Sequence, residues 1–355
     1  MSQLFSPLTL RTRTFRNRLW VSPMCMYSAV DGIPQRWHHT HLAQFASGGA
    51  GLIMAEATAV VPEGRISPRD TGLWSDEQRD AWSGIVDDVH ENGGLLGVQL
   101  AHAGRMASTW WPWADGRGSV PAEEGGWPTV APSALAFDGY AQPTALDAQG
   151  IDDVVAAFAA AAQRAVDAGF DALEVHGAHG YLLHEFLSPL ANVRDDEYGG
   201  SLENRARLLL RAVRAVREAA GDVMPVFVRL SATDYADGGF TPDEAARVGR
   251  WAMDAGADLV DVSSGGIVAG AHIDYRPGYQ VPFAQTVRAA GEVPTAAVGL
   301  ITSGEQAEQV LASGAADAVF AGREWLRDPH FGLRAAHELG DEVPWPPQYR
   351  RALWR

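Results

Sequence analysis

Two imidazoles three residues apart, followed two residues later by a phenol, stand together in the segment His176-Gly177-Ala178-His179-Gly180-Tyr181. Side chains of these types support two chemistries. His176 and His179 could ligate a metal ion, with Glu174, His102 or Asp261 supplying the third ligand and the orienting shell that such a site needs. Alternatively, two neutral imidazoles aimed at one carbonyl oxygen stabilise the negative charge that gathers there when a conjugated carbon accepts hydride. The flanking glycines let the backbone approach a flat ligand closely.

Arg229 interrupts the apolar run Val226-Phe227-Val228, and a buried guanidinium requires an anionic or electron-rich partner. A barrel carboxylate would make it a structural ion pair. A reduced flavin, negative near N1 and O2, would make it functional. Other polar groups recur where short β-rich runs end. Ser22-Pro23-Met24-Cys25 closes the first run, Glu56-Ala57-Thr58 the second, Gln99 and His102 the third, His176 and His179 the fourth, and Arg229 the fifth. One such residue is an ordinary satisfied polar group, but five converging strand ends predict a site.

The elements that must position these residues are eight short apolar runs, at 18–23, 51–56, 95–100, 172–176, 226–230, 259–263, 295–298 and 318–321. Stretches of helical length and period lie between most of them, including 151–168, 202–220, 242–255 and 303–312. Strand and helix alternate, which predicts parallel pairing. At three joints a glycine is followed by an aspartate and a buried strand: Gly169-Phe170-Asp171, Gly256-Ala257-Asp258 and Gly314-Ala315-Ala316-Asp317. Each glycine suits a left-handed helix end. Eight such units predict an α/β fold, a (β/α)8 TIM barrel spanning 1–355 as a single domain. A doubly wound open sheet is the alternative, with fewer strands and no partners for the last units. Residues 107–149 break the rhythm with four tryptophans and read as a long excursion after strand 3, placed over the C-terminal face as a substrate cap or as a structural flap. The last two strands lead into Val298-Gly299-Leu300-Ile301-Thr302-Ser303 and Ala321-Gly322-Arg323, the position where barrels bind phosphate. No dinucleotide-binding or P-loop glycine pattern occurs.

A net charge of −16 disfavours nucleic acid and anionic membrane surfaces as partners. Cys25 is the only cysteine, which excludes an intrachain disulfide and any cluster held by several thiolates, and fits a reducing cytoplasm. With no run of about 18 apolar residues, neither export nor a membrane span is expected.

The residues resemble the Old Yellow Enzyme family over nearly the whole chain, with the Met-Cys-Met-Tyr opening and the His-x-x-His pair similar to its bacterial, thermophilic-like subclass. The likeness is carried by Asn17-Arg18 through Ser22-Pro23-Met24-Cys25-Met26-Tyr27, by Gln99 to Arg105, by His176 to Leu182, by Arg194-Asp195-Asp196-Glu197-Tyr198 through Asn204-Arg205, and by Ala321-Gly322-Arg323. The resemblance implies an FMN-dependent ene-reductase, an NADPH dehydrogenase that uses NADPH or NADH as hydride donor and activated alkenes as acceptors. It assigns the non-covalent flavin to Ser22, Pro23, Met24, Cys25, Ala57, Gln99, Arg229, Gly299, Gly322 and Arg323, with Cys25 tuning its redox behaviour. It gives His176 and His179 the substrate oxygen, Tyr181 the proton for the α-carbon, and Tyr27 a place on the substrate side. It further implies a homodimer or homotetramer whose C-terminal tail enters a neighbouring pocket through Arg351 or Trp354. That tail extends past the subclass's usual ending, and Met106 stands where relatives often carry lysine. The rival chemistry is a metal-dependent lyase or aldolase with His176 and His179 as ligands.

Overall fold

Runs such as Leu19–Val21 and Val226–Ser231 are too short and too uniformly apolar for a helix and are bounded by turn residues, so they form strands buried on both faces. In a computed structural model describing residues 2–354, eight of them close into a parallel barrel. In chain order these are β1 (Leu19–Val21), β2 (Ile53–Ala59), β3 (Leu96–Ala101), β4 (Ala172–Gly177), β5 (Val226–Ser231), β6 (Leu259–Ser263), β7 (Thr295–Ala297) and β8 (Ala318–Ala321). Each strand pairs with its sequence neighbour, and β8 returns to β1. The eight runs expected from the sequence are the eight barrel strands. One boundary needs correction: β2 runs on to Ala59, so Glu56, Ala57 and Thr58 lie within it. A bulge between Ala55 and Ala57 and the bond from Ala59 N–H to Thr71 O extend its pairing.

The helices are α1 (Arg36–Ser47), α2 (Asp76–Glu91), α3 (Ala148–Ala168), α4 (Leu182–Leu187), α5 (Leu202–Ala220), α6 (Pro242–Asp254), α7 (Val281–Gly291), α8 (Gly304–Ala312), α9 (Arg323–Arg327) and α10 (Phe331–Leu339). α3 ends at Gly169 with φ 90°, and Gly256 and Gly314 likewise take positive φ. The aspartate after each of these glycines has a defined task. Asp171, Asp258 and Asp317 accept the backbone N–H of Leu96, Val226 and Thr295, the first residues of β3, β5 and β7, at 2.8–3.0 Å. Each such charge-assisted bond contributes about 1.5–3 kcal/mol and ties one joint to an adjacent strand.

The barrel interior is layered. Its N-terminal end is plugged by Trp20, Met54, Phe227, Leu259 and Phe320, with Trp20 stacked on Phe227 at 5.7 Å. Phe15 closes the plug from a hairpin (Leu8–Leu10 with Arg13–Phe15) that the periodicity did not mark. Above the plug lies a polar layer, and above that the cleft described next. Residues 107–149 carry little pairing: the two-residue strands Val130–Ala131 with Thr144–Ala145 and a single bridge from Thr109 to Ser119. They are pinned to the loop after β2 by Arg69 over Trp111 at 4.3 Å and Arg65 over Trp127 at 4.7 Å.

Candidate active site

Parallel strands deliver their last side chains to one end of the barrel, and there a cleft with about 900 Å³ of open space, its mouth included, gathers most of the residues singled out above. Ser22, Pro23, Met24, Cys25, Ala57, Gln99, His176, His179, Tyr181, Arg229, Gly299, Gly322 and Arg323 all line it. Tyr27 stands beside it, edge-on to Trp113 at 5.7 Å, where Trp113 is a mostly exposed ring from the excursion. Arg351 is not brought there; it lies exposed in the short turn Pro347–Ala352, and Trp354 stacks on the chain's own His337 at 4.7 Å.

The two histidines are held in complementary orientations. His176 Nδ1 accepts the Ala178 backbone N–H at 3.3 Å, which places the ring proton on Nε2. His179 is in the left-handed region (φ 60°), and its backbone N–H donates to Ser231 Oγ at 3.0 Å. Its Nε2 lies 2.7 Å from Ser263 Oγ, which accepts Gln280 Nε2–H at 2.8 Å. With Ser263 giving its own proton to Nε2, the proton of His179 sits on Nδ1. Among the described residues neither His176 Nε2 nor His179 Nδ1 has another partner, so each ring keeps one free N–H. Gly180 allows this loop to close, because a Cβ there would meet Gly266 O at 2.1 Å and its φ is 76°.

Burial first, then the neighbouring positive groups including Arg229, depresses both imidazoles well below the ordinary histidine range, so both are neutral. Tyr181 packs edge-on against His176, with centroids 5.2 Å apart, and burial raises its phenol well above the usual range. It therefore keeps its proton until a stronger base appears. Burial, then Asp70 and Glu56, likewise holds Cys25 as a thiol. Glu56 anchors the loop that carries Cys25, accepting the Met26 N–H at 2.9 Å and facing His38 Nε2 at 2.9 Å.

In the layer below, Gln99 Nε2 donates to Glu174 Oε1 at 2.7 Å, and Arg229 Nε lies 2.9 Å from Asp261 Oδ2. Glu174 and Asp261 are thus committed to the barrel interior, and no three His, Cys, Asp or Glu side chains among the described residues converge on a point that would hold a metal ion. Sequence reasoning missed Ser263, Tyr279 and Gln280. The first closes β6 without standing out, and the other two come from the loop before α7, where no strand end marks them.

The cleft fits a flavin mononucleotide. Met24 and Ala57 offer apolar surface for a flat ring, and Ser22 Oγ is buried without a partner. Arg229 supplies buried positive charge. The loops at Gly299 to Ile301 and at Gly322 and Arg323 offer backbone N–H groups and a guanidinium that has no ion-pair partner among the described residues, for a phosphate.

A (β/α)8 barrel with this mouth defines a flavin-binding oxidoreductase. Residues 3–342 match the NADH:flavin oxidoreductase / NADH oxidase family, and the chain belongs to it. It is 46% identical over 358 residues to an NADPH dehydrogenase of Listeria monocytogenes serotype 4b, covering 100% of both chains, and 47% identical over 354 residues to an NADPH dehydrogenase of Bacillus pumilus, covering 99% of both. Among solved structures it superposes on morphinone reductase with a TM-score of 0.80 at 31% identity, covering 98% of this chain and 92% of that one, and on the same enzyme in complex with tetrahydroNAD at a TM-score of 0.80 and 30% identity, covering 98% and 94%. Among the described residues no helix is long and apolar enough to cross a membrane.

Proposed function

We propose that the protein is an ene-reductase that oxidises NADPH, or NADH, and reduces the carbon–carbon double bond of α,β-unsaturated carbonyl or nitro compounds. FMN, when bound, would supply the hydride chemistry that links the nicotinamide to the β-carbon. Ser22, Pro23, Met24, Cys25, Ala57, Gln99, Arg229, Gly299, Gly322 and Arg323 would hold it. His176 Nε2–H and His179 Nδ1–H grip the substrate oxygen and stabilise its developing charge. Tyr181 gives its phenol proton to the α-carbon. Tyr27 lines the substrate side, and residues 107–149 form a cap over the C-terminal face of a single barrel domain. The observation that carries this reading is the pair of neutral imidazoles, each with one ring nitrogen fixed by the protein and the other left free.

The test is anaerobic. NADPH should bleach the flavin band and 2-cyclohexen-1-one should restore it. In Tyr181→Phe the restoring phase should slow by about 10²-fold or more, a larger loss than in the bleaching phase. A protein that takes up no FMN, or one that bleaches and never returns, overturns the reading.

The same reading places the enzyme in the cytoplasm, in keeping with its single cysteine, as a homodimer or homotetramer that shares Arg351 or Trp354 between subunits. Size-exclusion with light scattering should show the oligomer; monomer alone leaves both residues without a neighbouring pocket.

A further inference from the structure

At the floor of the cleft, four side chains on four consecutive strands form a buried layer: Gln99 on β3, Glu174 on β4, Arg229 on β5 and Asp261 on β6, none more than 6% exposed. Strand register sets them side by side, with Gln99 opposite Glu174 and Arg229 opposite Asp261. The aromatic plug closes the layer from below, and His176, itself neutral, stands above Glu174 on the same strand.

Ordinary ionisation would leave this layer with two anions and one cation. Among the described residues neither Asp261 oxygen has a hydrogen-bond partner, but the cation is close by, with Arg229 Nε 2.9 Å from Oδ2. Glu174 has no cation within ion-pair distance among them: Gln99 donates to its Oε1, Arg229 acts on it only from farther off, and its Oε2 is buried with no hydrogen-bond partner. A bare carboxylate oxygen in a dry interior is strongly disfavoured, whereas a carboxylic acid there is not.

We propose that Glu174 is a positioning residue that carries a proton in the resting protein, keeping the layer neutral and leaving the charge of Arg229 to Asp261 and the cofactor. Its effect on the flavin rests on the FMN reading above; its protonation does not. Burial and then Asp261 push Glu174 above the usual carboxylate range, against the pull of Arg229 and Gln99, and burial raises Asp261 against the opposing charge of Arg229 beside it. Once Glu174 ionises, the layer beneath the cofactor becomes a net anion. Putting two electrons into the site then draws one additional proton from solvent onto Glu174, so the midpoint potential falls more steeply with pH.

Spectroelectrochemical titration of the FMN-loaded protein from about pH 6 to about pH 10 tests this. The wild type should show an added slope of one proton per two electrons at the alkaline end of this range, since Glu174 is raised above the usual carboxylate range, and Glu174→Gln should lack it. In Asp261→Asn, Glu174 becomes the counter-ion of Arg229 and the bend should move to lower pH. Equal slopes in wild type and Glu174→Gln, or an unmoved bend in Asp261→Asn, overturn the proposal, and the second result decides should Glu174→Gln not fold. Infrared spectra of the cofactor-free protein near pH 7 separate this failure from a failure of the FMN reading. One acid carbonyl stretch present in the wild type should be missing from both variants, and its persistence in either would overturn the protonation itself.

Discussion

The His176→Ala variant should reduce 2-cyclohexen-1-one with kcat/KM about 10²–10³-fold below wild type, a loss of about 2.7–4 kcal/mol in transition-state stabilisation, and His179→Ala should behave alike. The expectation comes from the two fixed tautomers. His176 is held through Nδ1 by the Ala178 N–H and His179 through Nε2 by Ser263, so each ring has one nitrogen left to face the substrate oxygen. Because the two donors meet at one atom, the double variant should lose less than the sum of the single losses. His176→Asn, which retains a donor, should recover part of the activity. The rings are also expected to work uncharged. Burial depresses both well below the ordinary value, so enone reduction should show no inflection near about pH 6.5, where a free histidine titrates. A loss under tenfold, or a clear inflection there, would place the oxygen elsewhere or show the rings to be cations.

The barrel was readable because its instructions are local. The glycine and aspartate at each of three joints end a helix and cap a neighbouring strand within a few residues, so Gly169 and Asp171 announce a turn wherever they occur. The strand-end residues followed from the same reading, since a parallel barrel sends all of them to one mouth. What escaped depends on register or on loops. The bond from Gln99 to Glu174 exists only because β3 and β4 pair with those two positions opposed, which no spacing along the chain records. Ser263 and Gln280 together hold Nε2 of His179 in place, yet they come from a strand and a loop about 17 residues apart, with no motif joining them. The hairpin that carries Phe15 is three residues a side, too short for a periodicity to declare itself. The tail shows a different limit. A neighbouring subunit's pocket for Arg351 or Trp354 depends on a second chain, and within one chain Trp354 lies on His337.

Replacing Arg229 with methionine should weaken FMN binding by about 10²-fold or more and lower the melting temperature, because the substitution removes the one cation facing two buried carboxyl groups. Breaking a buried ion pair from one side typically costs about 3–5 kcal/mol, since the remaining charge is stranded. Asp261 would respond by holding its proton more tightly, so its folded-state value would climb beyond the already raised value of about 6. The sign of the pH effect follows. The unfolded chain releases that proton near about pH 4, whereas the folded variant retains it to higher pH. The folded state then binds more protons across that interval, so the variant should lose stability as pH rises from about 5 to about 8, and lose it faster than the wild type. Arg229→Lys keeps the charge without the planar fork and should fall between the two in both FMN affinity and melting temperature. A methionine variant with unchanged FMN content and a wild-type dependence of melting temperature on pH would mean that Asp261 is already neutral beside Arg229, and that the polar layer is held by hydrogen bonding rather than by charge.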